Sequence, residues 1–565
     1  MNKAEDLLFK LCRRLKCNAL FAALFTALLL LPDRLFEIAN PRLDYSFDPA
    51  FVFALAVFGF CLSLCGRTVG LTVLAAFGLM QFIQLSHIAY FGRPLNPVDV
   101  AKIYDEFSDV REAGIGAWRD VWFVAPLVLL TFGYLARFLV KHRKILGFSW
   151  FAVIAVVIAL GVKPERAARK SLKHFLPAAL RYSVHNSLNT FSFFLVKGHN
   201  IEPTQSVMPE KFYIPYVARR TNAATPDVIV FVMGESTNTA QMSLFGAQAQ
   251  TTPFLDSLKS DKRFLYKKAI AGAVSTHSSL PVFFNLLNEP ANMEQLAAQT
   301  SNLFKLAKQA GYKTYWLSAQ DAKNTNDIGT AHIDELITKE ENPVAFADGQ
   351  EDYLLQLFKE TDTTQGKHFI VLHFRTMHDP FEKNYEHHPE FDAFKPATSK
   401  RADRTRAAYR NAMLYTDDVL RRLFDIYKEK TAGKSAVLAF TSDHGQLLGE
   451  DGLYGHNKML LSVADVPFFA YADAPVLRDL HPKDVVFHYE IGTWLARVLG
   501  YEIINPNKQK DVFFIHGNNF YQETDYMAVK RTANGVQPAF YGTLRKFLEL
   551  SCPAKTTACA YKAVF

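Results

Sequence analysis

Apolar residues crowd the first ~160 positions of this chain and then thin out. A basic start (Lys3, Lys10, Arg13, Arg14, Lys16) is followed by apolar runs over residues 18–31, about 50–65, 69–90, 121–140 and 145–162. Each is roughly as long as a crossing of ~30 Å of hydrocarbon requires, the first two only by borrowing flanking residues, so five membrane helices are expected. Leu31-Pro32-Asp33-Arg34 lacks the small-x-small pattern of a cleavage site, which favours an uncleaved helix over a signal peptide. The basic N-terminus and the stretch Lys141-His142-Arg143-Lys144 both belong on the cytoplasmic side. Five crossings then carry everything beyond residue ~163 to the far side. Lys163, Arg166, Arg169, Lys170 and Lys173 run against that rule and read as lying along the outer leaflet. Gln81, Gln84 and His87 share one face of the third helix, as inter-helix hydrogen bonding would use them. Residues 99–113 form an amphipathic pattern with Val100, Ile103, Phe107 and Val110 as its apolar stripe.

The pattern then changes. Residues 163–222 mix apolar and basic positions and end in a Pro-punctuated stretch (Pro203, Pro209, Pro215), which predicts interfacial helix followed by extended linker. From about 223, short continuous apolar runs at 227–233, 314–317, 369–372 and 436–440 alternate with helical patterns such as 301–309 and 407–427. That alternation predicts an α/β domain with a mostly parallel central sheet covered by helices on both faces. The expected organisation is therefore a five-helix membrane domain (1–162), a bridge (163–222) and a globular domain (223–565).

Composition sharpens this picture in two places. The net charge of +8 sits largely beside the apolar runs, so it reads as membrane topology and not as nucleic-acid affinity. Of six cysteines, Cys12, Cys17, Cys61 and Cys65 lie in or beside apolar runs, whereas Cys552 and Cys559 could close a short loop if the globular domain is outside the cytoplasm.

Polar residues with metal-ligand chemistry sit just past the ends of the expected buried strands. Glu235 follows the 227–233 run, His373 follows 369–372 with His378 five residues on, and Asp443-His444 follow 436–440, with His456 twelve residues later. Open α/β sheets place their ligand sites at such carboxyl ends. A Glu, an Asp and a His suit zinc with one position left open, and a hydroxyl in that position loses its proton far more easily. Residues 275–281, Ser-Thr-His-Ser-Ser-Leu-Pro, supply hydroxyls. Individually, Glu235 could be a first-turn carboxylate, His373 a satisfied core histidine, His456 a loop residue, and the hydroxyl cluster the cap of a helix starting near Ser278 or Ser279. Their joint occurrence at strand ends is the signal.

With these motifs the chain resembles the bacterial phosphoethanolamine transferases of the sulfatase, or alkaline-phosphatase-like, superfamily. The resemblance rests on Gly234-Glu235-Ser236-Thr237 with Thr252-Pro253, on Ser275 to Pro281, on His373 to Pro380, on the segment with Asn411, Tyr415 and Asp417, and on Asp443-His444-Gly445 with His456. It implies a metal site of Glu235, Thr276, Asp443 and His444 holding one zinc ion, with a second left open. It implies Thr276 as nucleophile, His378 and His456 in catalysis, and His373, His378 and His456 against substrate phosphate. Ser108 and Glu112 match the segment implied to hold the ethanolamine head group of the donor, phosphatidylethanolamine. The setting implied is a bacterial inner membrane, with the catalytic domain periplasmic and the chain a monomer. Departures bear on the acceptor: Asn238 stands where the family often has Arg, and Ala271 and Val282 replace the cysteines that flank the nucleophile in the lipid A branch. A branch acting on lipooligosaccharide core sugar, periplasmic glucan or a surface protein such as pilin is expected. The alternatives are a related glycerol-phosphate transferase or phosphatase and, outside enzymes, an envelope binding protein.

Overall fold

The computed structural model describes residues 3–39, 47–91, 94–105, 121–170, 175, 181–198, 213–290, 292–517, 525–532 and 535–543. The chain divides into two compact units near residue 204. Ser108, Glu112, Cys552 and Cys559 lie outside the described residues.

The first unit is helical. Among the described residues, three helices are long and apolar enough to cross a membrane: Glu5–Ile38, Arg67–Tyr90 and Val124–Lys141. Two of the five expected crossings differ for physical reasons. Pro49–Ser63 is apolar, with Asp48 capping its first turn through a 3.1 Å bond from Phe51 N–H, but it has only 15 residues. Trp150–Arg169 has the length, yet Lys163, Glu165 and Arg166 fall in its last third. The bundle is packed through Phe21, Phe25, Phe77, Leu135 and Leu139, all buried. Of the expected amphipathic segment, Pro97–Asp105 is helical and the rest lies outside the described residues. The Ser183–Lys197 helix differs from the interfacial helix expected there: Ser183, Asn186, Ser187 and Thr190 are buried within this unit, where a lipid-surface helix would leave its polar face wet.

The second unit is built on an eight-stranded sheet. Its order is Val485–Phe487, Phe264–Ile270, Asp465–Tyr471, Ala436–Ser442, Val228–Gly234, Lys367–His373, Tyr312–Ser318 and Glu335–Ile337. All pairings are parallel except those of Asp465–Tyr471, which runs antiparallel to both neighbours, so the sheet is mixed. The central strand Val228–Gly234 is buried along its whole length, as a strand covered on both faces must be. Its register matters for chemistry. Met233 lies opposite His373 on one side and Thr441 on the other, so the chain leaves three neighbouring strands at one level.

The strand Phe264–Ile270 was not expected, because Lys267 and Lys268 interrupt its apolar run. The end of the expected linker also differs. Tyr213 and Tyr216 are buried, and Val217–Arg220 forms a strand antiparallel to Tyr501–Ile504. Two large aromatic side chains bury enough apolar surface to fix a segment that its prolines alone would leave extended.

Candidate metal centre

The centre is assembled at the carboxyl ends of the central strands. Gly234 closes the Val228–Gly234 strand against the Phe440 ring, where an added Cβ would come within 2.5 Å of the ring edge. Glu235 follows, then Ser236 with φ 49°, an uncommon conformation for a residue with a side chain. Three bonds hold that turn. Ser236 N–H donates to Asp443 Oδ1 at 3.1 Å, the Tyr409 hydroxyl donates to Ser236 carbonyl at 2.8 Å, and Asn238 N–H donates to the same hydroxyl at 2.9 Å. Strain persists where the surroundings over-determine it in this way.

On the neighbouring strand, Asp443 Oδ1 also accepts from His444 N–H at 2.7 Å. His444 Nδ1 lies 3.0 Å from the Gly445 carbonyl. A carbonyl only accepts, so the proton sits on Nδ1 and the Nε2 lone pair points into the site. There it meets Asp443 Oδ2 at 3.2 Å, Glu235 Oε1 at 3.7 Å and Thr276 Oγ1 at 3.2 Å. The hydroxyl of Thr276 also lies 3.3 Å from Glu235 Oε2. Glu235, Asp443 and His444 are fully buried, and their ligand atoms lie within 4.8 Å of one another.

This donor set asks for a cation. A lone pair faces two carboxylates, and buried Asp443 Oδ2 makes no hydrogen bond of its own. Burial and then the Glu235 carboxylate push Asp443 above the usual carboxylate range. Burial would raise Glu235 too, but His444, His378, the Ser236 hydroxyl and His373 draw it below its ordinary value. Two carboxylates, an imidazole and a hydroxyl at this spacing fit zinc, and the strand-end residues named from sequence are the ones brought together.

Thr276 is half-buried and opens the helix Thr276–Phe284, with Ser275 in extended conformation before it. The helix therefore starts two residues earlier than the Ser278 expected from the hydroxyl cluster, and negative charge developing on Thr276 Oγ1 is favoured at its amino end. Ser279 Oγ donates to the Asp443 carbonyl at 2.6 Å, tying this helix to the metal strand.

The remaining histidines are placed differently from one another. His456 is half-buried, its ring stacked on His444 with centroids 4.2 Å apart, and its Nδ1 lies 3.1 Å from Gln446 Oε1. His378 is half-buried and close enough to Glu235 to lower its pKa; its Nδ1 lies 2.7 Å from the Asp379 carbonyl. His373 is fully buried, 2.9 Å from Ser318 Oγ through Nδ1, and burial lowers it to about 4, so it is neutral.

Sequence reasoning missed three supporting residues. Gln320 Nε2 bridges Glu235 Oε2 at 3.1 Å and the Phe374 carbonyl at 2.6 Å. It sits just past the Tyr312–Ser318 strand, so the strand-end rule that found the ligands could have found it. Tyr409 fixes the Ser236 turn, as described. Glu351 is fully buried, and its Oε1 accepts from the N–H groups of Arg375 (2.5 Å) and Thr376 (2.7 Å), pinning the loop that carries His378.

Residues 227–474, which carry the Glu-Asp-His cluster and most of the sheet, match the family described as Sulfatase. The chain is also similar to proteins named as transferases, among them phosphoethanolamine transferases. It is 30% identical over 355 residues (62% of this chain, 60% of the relative) to the Escherichia coli O157:H7 protein YhbX, provisionally named a transferase. It is 29% identical over 293 residues (47% of this chain, 53% of the relative) to phosphoethanolamine transferase EptA of Helicobacter pylori. The chain thus spans between half and two thirds of the length of these curated relatives. Among solved structures, the integral membrane protein lipooligosaccharide phosphoethanolamine transferase A of Neisseria meningitidis matches with TM-score 0.54 and 16% identity. That match covers 86% of this chain and 95% of that one, and it speaks to the fold.

Proposed function

We propose that this chain transfers phosphoethanolamine from phosphatidylethanolamine to a cell-envelope acceptor, through a covalent intermediate on Thr276. The observation that carries this reading is the Thr276 hydroxyl, half-buried and 3.2–3.3 Å from both His444 Nε2 and Glu235 Oε2. Glu235, Asp443, His444 and Thr276 would hold zinc, which when bound neutralises the carboxylates and stabilises the deprotonated hydroxyl. Thr276 Oγ1 attacks phosphorus, the bond from phosphorus to the diacylglycerol oxygen breaks, and the departing alkoxide takes a proton from His456 or His378. An acceptor oxygen then attacks the same phosphorus, releasing Thr276 and giving ping-pong kinetics. His378 and His456 bind phosphoryl oxygens.

The membrane arrangement proposed with this reaction has five helices, a cytoplasmic N-terminus and a periplasmic catalytic unit working as a monomer. Ser108 and Glu112 would contact the donor head group. The absence of cysteine between residues 66 and 551 favours a branch other than the disulfide-rich lipid A enzymes, with core sugar, glucan or a surface protein as acceptor.

The test is intact-protein mass spectrometry after incubation with phosphatidylethanolamine and no acceptor. A phosphoethanolamine adduct on wild type, absent from Thr276→Ala, is expected. A glycerol-phosphate adduct would redirect the reading to a different transferase, and full transfer by Thr276→Ala would remove the threonine from the reaction.

A further inference from the structure

Three residues that adjoin the polar groups of the centre share an uncommon backbone. Ser236 follows Glu235, Met377 precedes His378 and Asn457 follows His456, with φ of 49°, 80° and 64°. A side chain makes this left-handed conformation costly, and it persists only where the surroundings impose it. At Ser236 the imposing bonds are those of Tyr409 and Asp443, and at the loop of Met377 those of Glu351. Asn457 is held in a different way. Its N–H donates to the Val274 carbonyl at 2.9 Å. Val274 is a fixed point: it is buried, and its own N–H donates to the His516 carbonyl at 3.2 Å. It also lies two residues before Thr276, so one bond ties the residue after His456 to the approach to the threonine helix.

On the other side of the histidine, Gly455 is left-handed as well, with φ 79°, a conformation that glycine adopts without steric cost. His456 is therefore set between two left-handed residues. Its ring is held from the far end by Gln446, whose Oε1 lies 3.1 Å from His456 Nδ1. Gln446 is itself buried, and its carbonyl accepts from Asn238 Nδ2 at 2.9 Å. Held at both ends, the ring stacks on His444, whose Nε2 lies 3.2 Å from the Thr276 hydroxyl. The Asn457 side chain is not kept for a bond through its oxygen, since buried Oδ1 makes no hydrogen bond. What asparagine supplies here is tolerance of the left-handed region, which a β-branched residue lacks.

We propose that Asn457 is a positioning residue acting through its backbone: left-handed and tied to Val274, it aims the His456 ring at the centre. That the aimed ring serves phosphoryl transfer rests on the function proposed above; the aiming itself does not.

The test uses two readouts on the full chain in detergent. One is the rate at which diethyl pyrocarbonate modifies His456, localised by fragment mass spectrometry. The other is the rate of Thr276 adduct formation from phosphatidylethanolamine, followed across lipid concentrations. Asn457→Val cannot hold this backbone, so the ring should leave its stack and be modified about threefold faster or more. Its maximal rate of adduct formation should fall about tenfold or more, while the lipid concentration for half that rate moves by less than about twofold. Asn457→Gly, the conservative variant in backbone terms, should restore both readouts to within about twofold of wild type, with Asn457→Ala between the two. In a His456→Ala background, adding Asn457→Val should cost no more than about a further twofold. An unchanged modification rate in both Asn457→Val and Asn457→Ala would overturn the aiming. So would an Asn457→Gly variant as reactive as Asn457→Val, or one that loses adduct formation with its histidine still modified at the wild-type rate, which would assign the amide itself to the substrate. Faster modification in Asn457→Val with adduct formation unchanged would leave the aiming in place and remove His456 from the reaction proposed above.

Discussion

Stripping the metal centre of its cation should make the stability of the second unit depend on pH in a particular direction. The ligand atoms of Glu235, Asp443 and His444 lie within 4.8 Å of one another in a fully buried site. Two carboxylate charges at that separation repel by about 3 kcal/mol at an effective dielectric constant near 20. Without a cation one carboxyl holds its proton, and burial together with Glu235 assigns that proton to Asp443. The unfolded chain releases the same proton near pH 4. Asp443 is thus raised in the folded state, so stability is highest below the unfolded value and falls as pH rises towards the folded one. Relative to Asp443→Asn, chelated wild type is expected to lose about 2–3 kcal/mol between pH 5 and 8, roughly 5 °C of melting temperature for a unit of this size, because buried histidines such as His373 contribute the opposite trend equally to both proteins. Asp443→Asn keeps an oxygen to accept from Ser236 and His444 N–H and removes this one titration, so its share of the slope should disappear. Zinc-loaded wild type should show the opposite trend, because binding displaces protons. Thermal scans of the full chain at pH 5, 6, 7 and 8, with chelator or with zinc, provide the measurement. The same slope in chelated wild type and in Asp443→Asn would refute the assignment of a shared, cation-hungry carboxylate pair.

Other expectations concern the residues around the ligands. Gln320→Leu removes the donor to Glu235 Oε2 and should weaken zinc binding by about 10–100-fold in a competition titration with a chromophoric chelator. Unchanged affinity would show that Glu235 orients itself. Tyr409→Phe deletes the hydroxyl that bridges Ser236 and Asn238 and should lower stability by about 2–3 kcal/mol, read as a lower melting temperature. Glu351→Leu leaves two buried N–H groups without an acceptor, at about 1–3 kcal/mol each, whereas Glu351→Gln keeps the oxygen and should melt within about 1 kcal/mol of wild type. Equal melting of the two Glu351 variants would mean the loop is held by other contacts.

Much of the centre was legible because it obeys one positional rule. Continuous apolar runs that stop at a charged residue marked the ends of the Val228–Gly234 and Ala436–Ser442 strands, and Glu235, Asp443 and His444 followed directly. Tyr409 was not legible, since nothing in a 30-residue helix tells which tyrosine turns its hydroxyl towards a distant turn. Glu351 was hidden because its partners are backbone N–H groups, which carry no sequence signature. The strand Phe264–Ile270 escaped because Lys267 and Lys268 broke its apolar run. In the first unit the apolar runs were found, and the charges from Lys163 onward were read as lying beyond the last of them, whereas the helix starts at Trp150 and continues through Lys163, Glu165 and Arg166 to Arg169.

The alignment of Met233 with both His373 and Thr441 has a consequence for how this gene can change. Because Val228–Gly234 is enclosed above and below, swapping one aliphatic side chain for another of similar volume there is cheap. Gaining or losing a single codon in that stretch is not, since it would slide Glu235 by ~3.3 Å and turn it to the opposite side, out of reach of Asp443 and His444. Point replacements should therefore accumulate in the middle of this strand over time, while its length stays fixed.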